Sequence, residues 1–216
     1  MNVEIWSDVV CPWCYIGKRR FEAALAQFPQ RDEVTITWRS FELDPDAPRE
    51  REVDNATHLA QKYGMSREEA LARGQQVADL AAAEGLAFRH DIARSGNTFD
   101  AHRLLHLAAE HGQQDALKER LMLAYHSEGE PIGDPKTLER LAVEVGLPED
   151  EVRDTLATDR FAAEVREDEA TASSFRITGV PFFVVDRRFA ASGAQPPEAL
   201  LQLLTQAQEA STTATN

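Results

Sequence analysis

Polarity alternates along residues 3–7, Val-Glu-Ile-Trp-Ser, which predicts a short strand. From Cys14 onward the apolar positions Phe21, Ala24, Leu25 and Phe28 recur at helical spacing, and Pro12 suits a first helical turn. Residues 34–41 are rich in Val, Ile, Thr, Trp and Phe and read as a second strand. Near the other end, the unbroken apolar run 182–185 suits a strand covered on both faces, with 189–192 as its hairpin partner. The turn between them lacks the glycine of a tight two-residue hairpin, so a longer or bulged connection is expected. Leu200, Leu201, Leu203, Leu204 and Ala207 mark a last helix.

Between these outer parts the character changes after Pro45 and Pro48. Residues 51–159 carry helix signals and hardly any strand signal. Ser66-Arg67-Glu68-Glu69 is a capping box with Gly85 as its stop, Asn97 or Thr98 opens a second helix that Gly112 ends, and Asp134-Pro135 opens a third that Gly146 closes. Ala101, Leu104, Leu105, Ala108 and Ala109 form one apolar stripe, and Leu138, Leu141, Ala142 and Val145 form another. A further helix around 161–175 leads back to the strands. The segments 1–50 and 160–208 therefore read as one α/β unit, 51–159 as a helical domain inserted into it, and 209–216 as a flexible tail.

The net charge of −14 argues against nucleic acid or an anionic membrane as partner, because such a surface repels both. Between Glu149 and Glu169 nine acidic residues face three basic ones, the pattern of a solvated helix face or of an electrostatic docking patch. Residues 1–7 hold no basic, apolar leader pattern, and no apolar run approaches a membrane span, which places the chain in the cytoplasm.

The chain has two cysteines, in Cys11-Pro12-Trp13-Cys14, at the junction of the first strand and the first helix. A pair so close cannot staple distant segments, and in a reducing compartment it reads as catalytic or metal-binding. Dithiol chemistry needs a thiolate, and the free amides and positive dipole end of a helix N-terminus can lower a thiol there. Cys11 occupies that place, and Cys14, one turn further in, can resolve a mixed disulfide by attacking the Cys11 sulfur. The competing reading is zinc, with His102 and His106 one helical turn apart completing a two-cysteine, two-histidine set. The loop between the pairs is far longer than in a zinc finger.

Ser7-Asp8-Val9-Val10-Cys11-Pro12-Trp13-Cys14-Tyr15-Ile16-Gly17, followed by Thr178-Gly179-Val180-Pro181-Phe182-Phe183 and Ser192-Gly193-Ala194-Gln195, closely resembles the DsbA-like thioredoxin-fold proteins of the FrnE-like branch, over about residues 3–205. The resemblance implies an α/β thioredoxin fold with an inserted α-helical domain, carrying out thiol–disulfide exchange on protein or low-molecular-weight thiols. It implies Cys11 as nucleophile, Cys14 as resolving thiol, and a cis peptide bond before Pro181 that sets Pro181 and Val180 beside them. No metal or nucleotide is implied, and glutathione is a possible co-substrate.

Pro12, Trp13, Val180, Asn97 and His102 are the candidate substrate contacts. Trp13 and Tyr15 can furnish an apolar lip, while Asn97, Thr98, Asp100 and His102 begin the helix that faces the cleft in relatives. Asn97 and Thr98 also suit plain capping, Asp8 suits a loop cap, and Phe182-Phe183 suits the core. Two alternatives to exchange chemistry stand. Kappa-class glutathione transferases and 2-hydroxychromene-2-carboxylate isomerases resemble the same architecture but typically carry serine where Cys11 stands. The other is a non-catalytic binding module.

Overall fold

The computed structural model describes residues 1–214. Strand β1 (Asn2–Ser7) and strand β2 (Thr35–Ser40) pair in parallel, and helix α1 (Pro12–Gln27) makes the crossover between them. Strand β3 (Phe182–Val185) runs antiparallel to β1 and strand β4 (Phe189–Ser192) antiparallel to β3, giving the order β2-β1-β3-β4. This is the thioredoxin fold the resemblance implies. On one face, Val3, Ile5, Phe183 and Val185 pack against Phe21 of α1 and Leu200 and Leu204 of helix α9 (Pro197–Ala214). On the other, Trp6 and Val184 meet helix α8 (Ala162–Ser174), whose Asp168 carbonyl accepts a hydrogen bond from Trp6 Nε1 at 3.0 Å.

Because β1 is covered on both sides, its alternation does not end at water. Glu4, which a half-buried strand would expose, is itself buried and accepts hydrogen bonds from Arg39 and Arg187. The pair holds the Glu4 carboxyl below its usual range, first through the Arg187 hydrogen bond. That contact also secures the β3–β4 turn. Three residues separate the paired Val185 and Phe189, and Asp186 and Arg187 adopt φ of 49° and 53°. These left-handed values are unfavourable for residues with a Cβ, and both side chains are anchored, Arg187 on Glu4 and Asp186 by the Asn2 amide at 2.7 Å.

Helices α2 (Asn55–Tyr63), α3 (Arg67–Ala83), α4 (Phe99–Glu110), α5 (Gln114–Leu123), α6 (Pro135–Glu144) and α7 (Glu149–Ala157) lie between β2 and α8. The Ser66 capping box and the Asp134-Pro135 start are both formed. Helix α4 sits at the centre, against α5, α6, α7 and α8. Its buried face is therefore wider than the sequence stripe: Leu107, His102 and Arg103 are buried with Ala101, Leu104, Leu105 and Ala108, while Ala109 is exposed. The Arg103 guanidinium donates to the Thr155 and Thr158 carbonyls, satisfying the last turn of α7.

Helix α5 is clipped to the free edge of the sheet by a side-chain amide. Gln114 accepts from the Trp38 amide and donates to the Trp38 carbonyl, each at 3.0 Å, taking the hydrogen bonds an added strand would use. Lys18 and Arg19 of α1 pair with Asp115 and Glu119 of the same helix. The segment expected as a flexible tail, 209–216, is helical through Ala214, because α9 continues past its last core contact at Ala207. Its final two residues lie outside the described residues.

Candidate active site

The polypeptide leaves β1 at Ser7 and enters α1 at Pro12, so the loop 8–11 is pinned at both ends. Val9 is fully buried in the core of the helical block, which fixes the loop from that side as well. Cys11 is the N-cap of α1, extended at φ −82° and ψ 115°, with Pro12 in the first turn. Its carbonyl accepts from the Cys14 amide at 3.1 Å, which brings the two sulfurs to one side of the turn. Both thiols are free and buried, 3% and 1% exposed, while Pro12 is half-buried and Trp13 is 41% exposed.

The loop 178–181 closes the site from the β3 side. The Val180–Pro181 peptide is cis, and the Cys11 thiol donates to the Val180 carbonyl at 3.6 Å. Gly193 donates to the Pro181 carbonyl at 2.8 Å and so ties the segment after β4 to the same loop. Pro181 rests against α1 where that helix carries Gly17: a Cβ there would lie 2.8 Å from Pro181 Cγ. The absence of a side chain at Gly17 is what lets the loop approach the cysteines.

Beneath the motif lies a buried polar group of three. Asp8 accepts from the Leu43 amide at 2.8 Å and faces His102 Nε2 at 3.3 Å. Lys118 of α5 has no exposed surface and donates to the Ser7 carbonyl at 3.1 Å. Burial raises the Asp8 carboxyl, but the His102 hydrogen bond and charge, the Leu43 amide and the Lys118 charge outweigh it and leave Asp8 below its ordinary value. Burial pushes Lys118 down to about 8, against the charges of Cys14, Asp8 and Cys11. A lysine that titrates near neutrality is a chemical group, not a surface charge.

The expectation for Cys11 is corrected. Its thiol stands well above the ordinary range, through the hydrogen bond to Cys14, burial, the Cys14 charge and the Asp8 charge. The Cys14 amide does pull it down, as a helix N-terminus should, but this is the weaker influence at a sulfur withdrawn from water.

His102 is also corrected: with no exposed surface it is not a substrate contact and acts only on Asp8, its Nδ1 having no partner. Asn97 is likewise engaged elsewhere. Its Oδ1 caps the Phe99 amide at 2.9 Å, and its Nδ2 reaches the Pro45 carbonyl at 3.2 Å and Glu42 at 3.4 Å, tying the segment after β2 to the start of α4. His106 faces Asp168 at 3.1 Å and Ser40 at 3.2 Å, so the two histidines point to different acids and do not converge on the cysteines. Among the described residues no three metal-ligating side chains cluster. Lys118 escaped the sequence reading, although a signal existed: it shares a helical face with buried Leu121 and Met122, where a charge is out of place.

The DSBA-like thioredoxin domain family matches residues 2–205. The probable DsbA oxidoreductase of Streptomyces coelicolor is 49% identical, with 97% of this chain and 90% of that one aligned at a TM-score of 0.92. The YwbO protein of Bacillus subtilis is 26% identical over 86% of each chain. The cytosolic disulfide reductase DsbM of Pseudomonas aeruginosa, 18% identical, shares the fold at a TM-score of 0.67 over 96% of this chain and 99% of that one, and has also been solved with glutathione. With the cysteine pair at the head of α1 and the family's domain spanning nearly the whole sequence, the chain belongs to the DsbA-like thioredoxin-fold oxidoreductases.

Proposed function

We propose that the protein exchanges disulfides through Cys11 and Cys14. The observation that carries this reading is the placement of Cys11: N-cap of α1, its thiol against the Val180 carbonyl, with Cys14 one turn behind. The Cys11 thiolate attacks one sulfur of a substrate disulfide, forming a mixed disulfide and releasing the other sulfur as a thiolate that takes up a proton. Cys14 then loses its proton and attacks the Cys11 sulfur. This releases the second substrate thiol and leaves Cys11–Cys14 oxidised, two electrons having passed to the substrate. Run backwards, the same steps oxidise a substrate dithiol.

The buried residues supply what the sulfurs lack. The Lys118 ammonium stabilises negative charge on either sulfur, and the proton that Cys14 loses balances the one taken up by the departing substrate thiolate. The backbone at Val180, against the Cys11 sulfur, is the natural contact for the chain of a peptide substrate, and Trp13 within the motif is exposed to meet it. Glutathione is a suitable small partner, in keeping with the glutathione-bound disulfide reductase of the same fold.

The test is turnover of insulin and of a small-molecule disulfide by the purified protein. Cys11→Ser abolishes both, and Cys14→Ser accumulates a mixed disulfide on Cys11 that mass spectrometry detects. Full activity in Cys11→Ser removes the proposal. A redox titration of the pair then fixes the direction, since about 30 mV in potential is a tenfold change in the exchange equilibrium.

A further inference from the structure

A nucleophile at a helix N-terminus is ordinarily reachable, yet Cys11 is 3% exposed. Besides Val180 and Ala194, one stretch of chain packs around it: Val77, Ala78 and Ala81 of α3, then Leu86 and Phe88, join one cluster with Cys11, Cys14, Tyr15, Ile16 and Met122. Within it, α3 is lightly held. Of the 17 residues of α3 only Ala70 and Ala81 are buried, and of α2 only Ala60, so little apolar surface fastens either helix. Helix α3 rests mainly on α1 and α2, and α2 mainly on α3. Val53, Tyr63, Leu71, Leu80 and Ile92, all on this stretch or beside it, stay exposed. Gly64 and Gly85 flank α3 at φ of 63° and 78°, the left-handed conformation that glycine adopts readily.

Polar contacts reach across from the body of the protein at two places: beyond the helix the Arg89 amide donates to the His126 carbonyl at 2.7 Å, and at its end stands an ion pair. Arg20 of α1 donates to Glu84, the C-cap of α3, at 2.6 Å, and to the Ala194 carbonyl at 2.7 Å. Both partners are about one-fifth exposed, so the pair is screened only in part.

We infer that α3 and residues 84–86 form a movable cover over the dithiol, latched by Arg20 and Glu84, and that its opening decides which substrates reach Cys11. Closed, it excludes bulky partners from the sulfur. Open, it uncovers Cys11, Val180 and the apolar lining of the cover itself, a surface suited to an unfolded polypeptide bearing a disulfide. The consequence for substrates rests on the exchange reaction proposed above, whereas the cover does not.

Alkylation of Cys11 tests the cover without using turnover. In a Cys14→Ser background, the rates with iodoacetamide and with a polymer-linked maleimide are compared, native against urea-unfolded. The folded protein is expected to disfavour the polymer reagent relative to iodoacetamide by about tenfold more than the unfolded chain does. Glu84→Gln and Arg20→Gln each raise the polymer rate by about three- to fivefold. Amide hydrogens of α3 exchange faster by a similar factor, while those of β1 and β3 are unchanged. An equal reagent ratio in native and unfolded chains overturns the inference. So does unaltered α3 exchange in both latch variants, or faster exchange throughout the molecule. If Cys11→Ser retains turnover, the exchange reading falls and these accessibility results are untouched by it.

Discussion

At the scale of single residues, the pair of cysteines is less informative than the lysine beneath it. Lys118 carries a charge with no exposed surface, held by the Ser7 carbonyl and facing Asp8 and the sulfurs. Lys118→Met removes this buried cation. The Cys11 alkylation profile is expected to move to higher pH, and exchange at pH 7 to slow by about tenfold. The variant also changes stability with a definite sign. Folding lowers Lys118 from 10.5 to about 8, so in that window the unfolded chain binds a proton the native one does not. Native stability then rises with pH from about 8 to 10.5 at up to roughly 1.4 kcal/mol per pH unit. Urea titrations at pH 7.5 and 10 should show that contribution in the wild type and its loss in the methionine variant.

At the scale of elements, α1 does two things at once: its first turn presents Cys11, and its second leaves room for the 178–181 loop. Gly17→Ala places a Cβ 2.8 Å from a rigid proline ring, so the loop must retreat. The expected cost is about 1–3 kcal/mol, with slower exchange as the Val180 carbonyl leaves Cys11. A thermal scan together with insulin turnover measures both, and unchanged turnover would show that the close packing is dispensable. Elements with local signatures were legible in the chain. The Ser66 box, the Asp134-Pro135 start, Pro12 at the head of α1 and the run 182–185 depend on hydrogen bonds and sterics a few residues long, and each forms where its residues stand. Helices α2 and α5 were not singled out. Helix α5 buries Leu117, Leu121 and Met122 at helical spacing, but a lysine stands among them and Asp115 and Glu119 turn toward α1 and β2, so its apolar stripe is short and broken by charge.

Across the whole molecule, the helical block and the thioredoxin-like sheet meet around the loop 8–11 and the helix ends that cover it. His126, in the wide turn after α5, is buried there against Phe88, with ring centroids 4.5 Å apart. Burial first, then the charge of His90, push its imidazole down to about 3, against the Val9 backbone and Asp8. The unfolded chain therefore takes up this proton near 6.5 while the native one refuses it until about 3. Folded stability is lost as pH falls through that window, by up to roughly 1.4 kcal/mol per unit. His126→Phe keeps the stacking and removes the proton site. Denaturation midpoints at pH 7 and pH 4.5 should differ less in the variant than in the wild type, and an equal difference would mean the histidine is hydrated in solution.

The sequence by itself determined the α/β frame, the capped helices, the strand-to-helix position of Cys11 and Cys14, and with the family motifs the cis bond at Pro181, because each is written in residues close along the chain. Only the tertiary structure decided the company those cysteines keep. It buried Cys11 under α3, raised its thiol instead of lowering it, turned His102 inward onto Asp8, used Asn97 as a tether, and brought Lys118 in from α5. Burial and charge act through space, and the residues that shape one sulfur's environment here lie between 3 and 169 positions away from it.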